Sequence, residues 1–76
     1  MQELIEHIAR SLVDEPEQVK VSKNIDGETV TFELSVAAKD LGRVIGKQGR
    51  TARAMRSILS ATAAKENMRS RLDIVE

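Results

Sequence analysis

The fold is decided by residues 19–36, VKVSKNIDGETVTFELSV. On both sides of Asp26-Gly27, apolar residues alternate with polar ones, which is the pattern of strands that bury one face of a sheet. A two-residue Asp-Gly link between such strands is the strongest short-range signal for a hairpin, and it predicts that Val21 lies opposite Phe32. Since one face of the hairpin is apolar and the other is polar, we expect helices to cover the sheet on one side only.

A helix is predicted before the hairpin, over residues 2–13. Its apolar side chains recur at the spacing of a single helical stripe and are Leu4, Ile5, Ile8, Ala9, Leu12 and Val13. Pro16 cannot continue a helix and disfavours helical geometry at the residue before it. We therefore expect this helix to end near Asp14.

Two helices and a third strand are predicted after the hairpin. Asp40 can cap a short helix that ends near Ile45. A longer helix is predicted from Arg50 to Glu66, and the side chains of its inner stripe are Met55, Ile58, Leu59 and Thr62. Residues 71–76 alternate between polar and apolar side chains again, which indicates a closing strand.

The resulting order is α-β-β-α-α-β, and seventy-six residues provide for a single α+β domain, residues 1–76. Because two helices join the last two strands, these strands should be parallel, with a right-handed crossover. Together with the antiparallel hairpin they form a three-stranded mixed sheet with helices packed on one face. A core of this size stabilises a fold only marginally, so a second copy or a ligand would contribute.

Three of the four glycines lie within residues 42–49, and two of them bound the tetrapeptide Gly46-Lys47-Gln48-Gly49, here called the GKQG loop. The loop lies between two predicted helices, where bare backbone can approach a ligand closely. It also opens onto a helix N-terminus, whose free N–H groups favour an anion. Neither the Walker A pattern nor the dinucleotide fingerprint fits, because glycines at the required earlier positions are missing. The loop therefore predicts a clamp for a phosphate backbone without an apparatus for nucleotide hydrolysis.

Charge is balanced over the chain but not along it. Residues 1–40 hold 4 basic and 9 acidic side chains, a net charge of −5, whereas residues 41–76 hold 8 basic and 3 acidic ones, a net charge of +5. No acidic residue occurs from 41 to 64. Arg50 and Arg53 would lie in the first turn of a helix, where a cation opposes the helix dipole by roughly 0.3–1 kcal/mol. This asymmetry favours a surface that attracts nucleic acid, and its alternative is an ordinary solvated basic face.

The stretch LGRVIGKQG, residues 41–49, resembles the signature of KH domains, in which an apolar VIG leads into GxxG. The helix, strand and strand before it resemble the type II, or prokaryotic, arrangement of that fold. Nearly the whole chain is similar to the small bacterial single-KH RNA-binding proteins of the KhpA family. The resemblance implies a type II KH fold that binds single-stranded RNA, as an RNA chaperone or a post-transcriptional regulator.

The resemblance also implies roles for individual residues. The backbone of Gly46–Gly49 would contact the phosphates of about four unpaired nucleotides. Lys47 would add positive charge, and Gln48 would project outward beside it. Val44 and Ile45 would support the loop and the apolar wall of a groove for bases, although Ile45 fits a core position equally well. Flanking phosphate contacts are expected from Arg43, Arg50 and Arg53.

The composition excludes several other classes of function. There is no cysteine, one histidine and no nucleophile motif, so no metal site, cofactor or enzymatic activity is predicted. Phe32 is the only aromatic residue, so bases would rest on aliphatic side chains. The resemblance implies that the second wall of the groove consists of a variable loop, residues 67–70, and the strand through Leu72 and Ile74. No stretch approaches the roughly 20 apolar residues of a membrane span, and the N-terminus lacks a signal segment. We therefore expect a cytoplasmic protein.

A second surface is predicted on the long helix, where Ser57, Ala61 and Ala64 form a strip of small side chains, here called the small-residue face. It suits a helix-to-helix contact in a homodimer, since such a patch can mate with itself, and its alternative is ordinary exposed surface. The resemblance implies self-pairing or pairing with a larger KH-containing partner. The competing hypothesis for function is therefore a protein-interaction module in which RNA contact is secondary.

Overall fold

The computed structural model describes residues 2–76. The helices and strands, in chain order, are α1 (Gln2–Leu12), β1 (Lys20–Asp26), β2 (Thr29–Ser35), α2 (Leu41–Ile45), α3 (Arg50–Ala64) and β3 (Arg69–Val75). The α+β class and the predicted order of elements are confirmed, and they are those of a type II KH fold. Within residues 2–76, no helix is long and apolar enough to cross a membrane.

The sheet is mixed and has the strand order β1-β2-β3. β1 is antiparallel to β2, and β3 is parallel to β2, with Leu72 beside Phe32. The predicted parallel pairing of the last two strands is thereby confirmed. The central strand β2 carries the middle of the core, because the side chains of Val30, Phe32 and Leu34 are fully buried.

The register of the hairpin differs from the prediction. Val21 pairs with Leu34, not with Phe32, because the two turn residues are Gly27 and Glu28. Gly27 has φ +61°, and a two-residue turn with glycine first needs positive φ only there, which leaves the preceding aspartate free to pair within the ladder. The partner shifts by two residues, so each side chain stays on its predicted face. Hydrophobic alternation alone could not reveal this difference.

Two helices cover one face of the sheet with small and aliphatic side chains. α1 buries Ile5 and Ala9, and α3 buries Ala52, Met55, Leu59 and Ala63. The predicted inner stripe of α3 is wrong at Ile58, which is 42% exposed. Alanines at the two ends of the stripe bring the helix close to the sheet, and Ile58 is turned to the side. The helix also ends two residues before the predicted Glu66.

Asp40 does not cap α2 as predicted. Its side chain is fully buried, and its two carboxylate oxygens accept hydrogen bonds from the backbone N–H groups of Asp14 and Glu15, both at 3.1 Å. The N-terminus of α2 has no side-chain cap. Asp40 therefore fastens the chain that leaves α1 to the start of α2, because a buried carboxylate needs hydrogen-bond donors and finds them in that turn.

Candidate nucleic-acid interface

The GKQG loop joins α2 to α3 through backbone conformations that few residue types adopt. Gly46 has φ 79° and ψ 169°, a combination that is essentially restricted to glycine. Gln48 (φ 56°, ψ 25°) and Gly49 (φ 72°, ψ 15°) are both left-handed. The N–H of Gly49 donates to the carbonyl of Gly46 at 3.1 Å and closes the turn. The loop is therefore a defined turn at the start of α3, with Lys47 and Gln48 exposed.

The two loop glycines are needed for different reasons. A Cβ atom on Gly46 would collide with Thr51 in the first turn of α3, meeting its Oγ1 and lying 2.8 Å from its Cβ and 2.9 Å from its backbone nitrogen. A Cβ atom on Gly49 would have no atom within 4 Å. Gly46 thus allows close packing of the loop against α3, whereas Gly49 is required only by its positive φ.

Two of the predicted phosphate contacts, Arg50 and Arg53, lie at the loop and hold it. Arg53 Nη2 donates to the backbone carbonyl of Gln48 at 2.7 Å, and Arg50 Nη2 donates to Gln48 Oε1 at 3.2 Å. These bonds stabilise the left-handed conformation of Gln48. Lys47 is exposed, and no carboxylate of residues 2–76 forms an ion pair with it.

The third arginine predicted to contact phosphate, Arg43, lies elsewhere. Its Nη2 is 3.2 Å from Asp14 Oδ2, and its Nε is 3.8 Å from Asp40 Oδ1. The guanidinium therefore contacts two carboxylates where α1 meets α2. A phosphate bound by Arg43 would compete with both of them.

Val44 and Ile45 separate into a core residue and a surface residue. The side chain of Val44 is fully buried and belongs to the main hydrophobic cluster. Ile45 is 36% exposed and directly precedes Gly46. The interpretation of Ile45 as a purely core residue is therefore wrong. Val44 therefore belongs to the core, and Ile45 offers an aliphatic surface directly before the loop.

A cleft of about 430 Å³ lies between α3 and β3; it is here called the α3–β3 cleft. Its lining comprises Arg56, Leu59, Ser60, Ser70, Arg71, Leu72 and Asp73. Arg56 extends from α3 to the strand, where Nε and Nη2 donate to the Leu72 carbonyl at 3.3 and 3.1 Å. Leu72 was predicted as part of the second wall. No contact is predicted for Arg56 from the sequence, although Arg56 lies in the stretch without acidic residues and so has no carboxylate near it in the chain to pair with.

The small-residue face of α3 is exposed at all three of its residues. Ile58, which was predicted to lie in the core, adjoins this face next to Ala61, three residues on. The outer surface of α3 is therefore more apolar than predicted. Within residues 2–76, no three His, Cys, Asp or Glu side chains come together to hold a metal ion.

Comparisons with known proteins give one consistent result. A family model described as "KhpA/KhpB, KH domain" matches residues 2–74. The "RNA-binding protein KhpA" of Halalkalibacterium halodurans is 54% identical over 76 residues, which is the full length of both chains. The protein of the same name from Clostridium perfringens is 48% identical over 75 residues, covering 99% of this chain and 100% of the relative. That of Listeria monocytogenes is 45% identical over the full length of both. No solved structure gives a significant match.

Proposed function

The chain belongs to the KhpA/KhpB family of KH-domain proteins, and on that premise we propose that it binds single-stranded RNA through the GKQG loop and the α3–β3 cleft. The observation that carries the proposal is the loop itself, with three positive φ angles at the start of a helix. Relatives that match the whole chain are named RNA-binding proteins. The chain is a binding protein and not an enzyme.

Phosphate groups are bound by the backbone of the loop. The N–H of Arg50, the first in α3, donates to the Lys47 carbonyl, and the N–H groups that follow it have no side-chain cap. The first turn of α3 contains no acidic residue that would repel an anion. The exposed ammonium of Lys47 adds a positive charge beside these donors. Residues Gly46–Gly49 thus hold the sugar-phosphate backbone of a short unpaired stretch of RNA.

Bases lie along the aliphatic surface that leads away from the loop. Ile45 provides one side of this surface, and the α3–β3 cleft, with Leu72 at its edge, provides the other. Without aromatic rings to stack on, the bases gain less from contact than the roughly 1–3 kcal/mol that an aromatic platform supplies per base. One domain therefore binds with modest affinity and loose sequence preference, as suits an RNA chaperone or a post-transcriptional regulator in the bacterial cytoplasm.

Fluorescence anisotropy with a labelled single-stranded RNA over a series of salt concentrations tests this function. Neutralising about four phosphates gives a slope of log K against log salt of roughly −2 to −3, since each contact on a single strand contributes about −0.7. The variant Lys47→Asp/Gln48→Asp should lose binding. A matched control, Lys23→Asp/Asn24→Asp, makes the same change of charge on β1, where both residues are exposed. Binding that survives in the loop variant, or that disappears equally in the control, would contradict the proposal.

A second candidate function is self-pairing or pairing with a larger KH-containing protein through α3. It is favoured by the small-residue face together with Ile58, whose 42% exposure is high for an isoleucine on a helix beside a core. A second copy or a KH domain of another chain could lay a helix along this strip. Sedimentation that gives a monomer at micromolar concentration would argue against self-pairing.

A further inference from the structure

The outer edge of β3 presents backbone groups to the α3–β3 cleft. On the side facing β2, the N–H of Arg69 donates to the Glu28 carbonyl at 2.8 Å, and the carbonyl of Val75 accepts from the N–H of Val36 at 3.2 Å. Because the N–H and C=O of successive residues alternate between the two sides of a strand, Leu72 directs both of its groups away from β2. No strand follows β3 in the sheet order, so this is an open edge.

Arg56 hydrogen-bonds to the Leu72 carbonyl, which is an acceptor at that edge. Both Nε and Nη2 donate to the Leu72 carbonyl, at 3.3 and 3.1 Å, which leaves the other N–H groups of the guanidinium and the Leu72 N–H as donors. Ser60 and Ser70 add hydroxyl groups that can donate. The one carboxylate of the lining belongs to Asp73, which follows Leu72 and so points to the other face of the sheet, where its Oδ1 pairs with Arg71 at 3.6 Å. Around Leu72 and Arg56 the cleft therefore presents hydrogen-bond donors, whereas the Ser70 carbonyl, two residues earlier on the same edge, is an acceptor.

We propose that Arg56 determines base preference in the α3–β3 cleft, which favours the keto bases uracil and guanine over the amino bases cytosine and adenine. The inference rests on the proposed RNA-binding function. Uracil and guanine present a carbonyl oxygen at the position where cytosine and adenine present an amino group. A guanidinium N–H can donate to that oxygen but not to the amino group. With Arg56 in place, the Leu72 carbonyl cannot accept from the amino group either.

Removal of the guanidinium should shift the preference. Arg56→Met keeps the aliphatic stem of the side chain, frees the Leu72 carbonyl and leaves an edge with one donor and one acceptor. Such an edge matches the amino group and the neighbouring ring nitrogen of cytosine. Arg56→Lys keeps the positive charge but loses the planar fork, so it separates charge from geometry.

The test compares an eight-nucleotide oligouridine with an eight-nucleotide oligocytidine by anisotropy, because the two pyrimidines differ at the keto or amino position and are similar in size. The wild type should bind the oligouridine about tenfold more tightly, as expected for one well-formed base contact. In Arg56→Met this ratio should fall to about one or invert, and Arg56→Lys should lie between. The free energy of unfolding of each variant, from urea titration, checks that the domain is folded at the assay temperature.

Three results would overturn the proposal. A ratio of the affinities for oligouridine and oligocytidine near one in the wild type would show that the domain has no such preference. An unchanged ratio in Arg56→Met shows that the preference lies elsewhere. A variant that weakens both RNAs equally, with a salt slope that becomes shallower by about 0.7, identifies Arg56 as a phosphate contact. Failure of the underlying function is distinct, because then neither RNA binds the wild type, or both bind the Lys47→Asp/Gln48→Asp variant unchanged.

Discussion

Replacing Gly46 by alanine should destabilise the fold far more than the same replacement of Gly49. Both residues have positive φ, at 79° and 72°. Gly49 is left-handed, and an alanine there costs about 1–2 kcal/mol. Gly46 has a backbone conformation that essentially only glycine adopts, so an alanine there is strained by about 1–3 kcal/mol before any contact is counted. The collision with Thr51 is added to that strain, and the backbone nitrogen at 2.9 Å cannot rotate away.

We therefore expect Gly46→Ala to lower the free energy of unfolding by about 3–4 kcal/mol and Gly49→Ala by about 1–2 kcal/mol. A domain of 76 residues has a total stability of about 4–11 kcal/mol at the usual value per residue, so the first variant loses between about a third and nearly all of it. The measurement is urea denaturation followed by far-ultraviolet circular dichroism, with the wild-type m-value as the check that the transition remains two-state.

The double variant Gly46→Ala/Thr51→Gly tests the steric part of this reasoning. It removes Oγ1 and Cβ of Thr51, two of the three atoms in the collision, but leaves the backbone nitrogen. A double-mutant cycle should therefore recover part of the loss caused by Gly46→Ala and not all of it. Losses for the two single glycine variants that agree within about 0.5 kcal/mol would refute the argument, because the φ values alone would then explain both.

Substitutions at three further residues test other contacts. Arg53→Met removes the bond to the Gln48 carbonyl, so RNA affinity in the anisotropy assay should fall about tenfold or more, as expected for one hydrogen bond to a charged group. The salt slope should stay unchanged, and a slope shallower by about 0.7 would instead make Arg53 a direct phosphate contact. Asp40→Ala leaves two backbone N–H groups without their acceptor, so urea denaturation should show a free energy of unfolding lower by about 2–4 kcal/mol. Asp40→Asn keeps one acceptor oxygen and should lose less stability. Equal losses for the two variants would show that the side-chain acceptor contributes nothing. Ile58→Asp should convert a sedimenting dimer to a monomer and change stability by less than about 0.5 kcal/mol, and an intact dimer would place the contact elsewhere.

The arrangement of helices and strands could be predicted because it rests on periodic patterns. Alternation in β2 and β3 and the helical stripe of α1 each extend over several residues, so a single misplaced side chain does not change the result. The parallel pairing followed from the two intervening helices alone. The hairpin register did not follow, because a shift of two residues leaves the faces of the strands unchanged.

Individual side chains at the site were less predictable, since their positions depend on contacts between segments distant in the chain. Asp40 occupies a cap position in the sequence, yet its partners are two amides about 25 residues earlier. Val44 and Ile45 are adjacent apolar residues in a helix of five residues, too short for a stripe to show which one faces the core. The bond from Arg56 to Leu72 joins residues 16 positions apart through the packing of α3 on β3.

The GKQG loop lies within the crossover that joins β2 to β3, and the two strands at its ends are hydrogen-bonded to each other. The loop is built only when the crossover around it is folded, so an RNA that binds the loop binds the folded domain, and RNA recognition and global folding are thermodynamically linked. A ligand that binds only the folded state stabilises it by about 2.7 kcal/mol at a concentration one hundred times its Kd. For a domain of this length that energy raises the Tm by more than about 10 °C. Thermal melting in the presence of different RNAs therefore ranks their affinities without any label on either molecule.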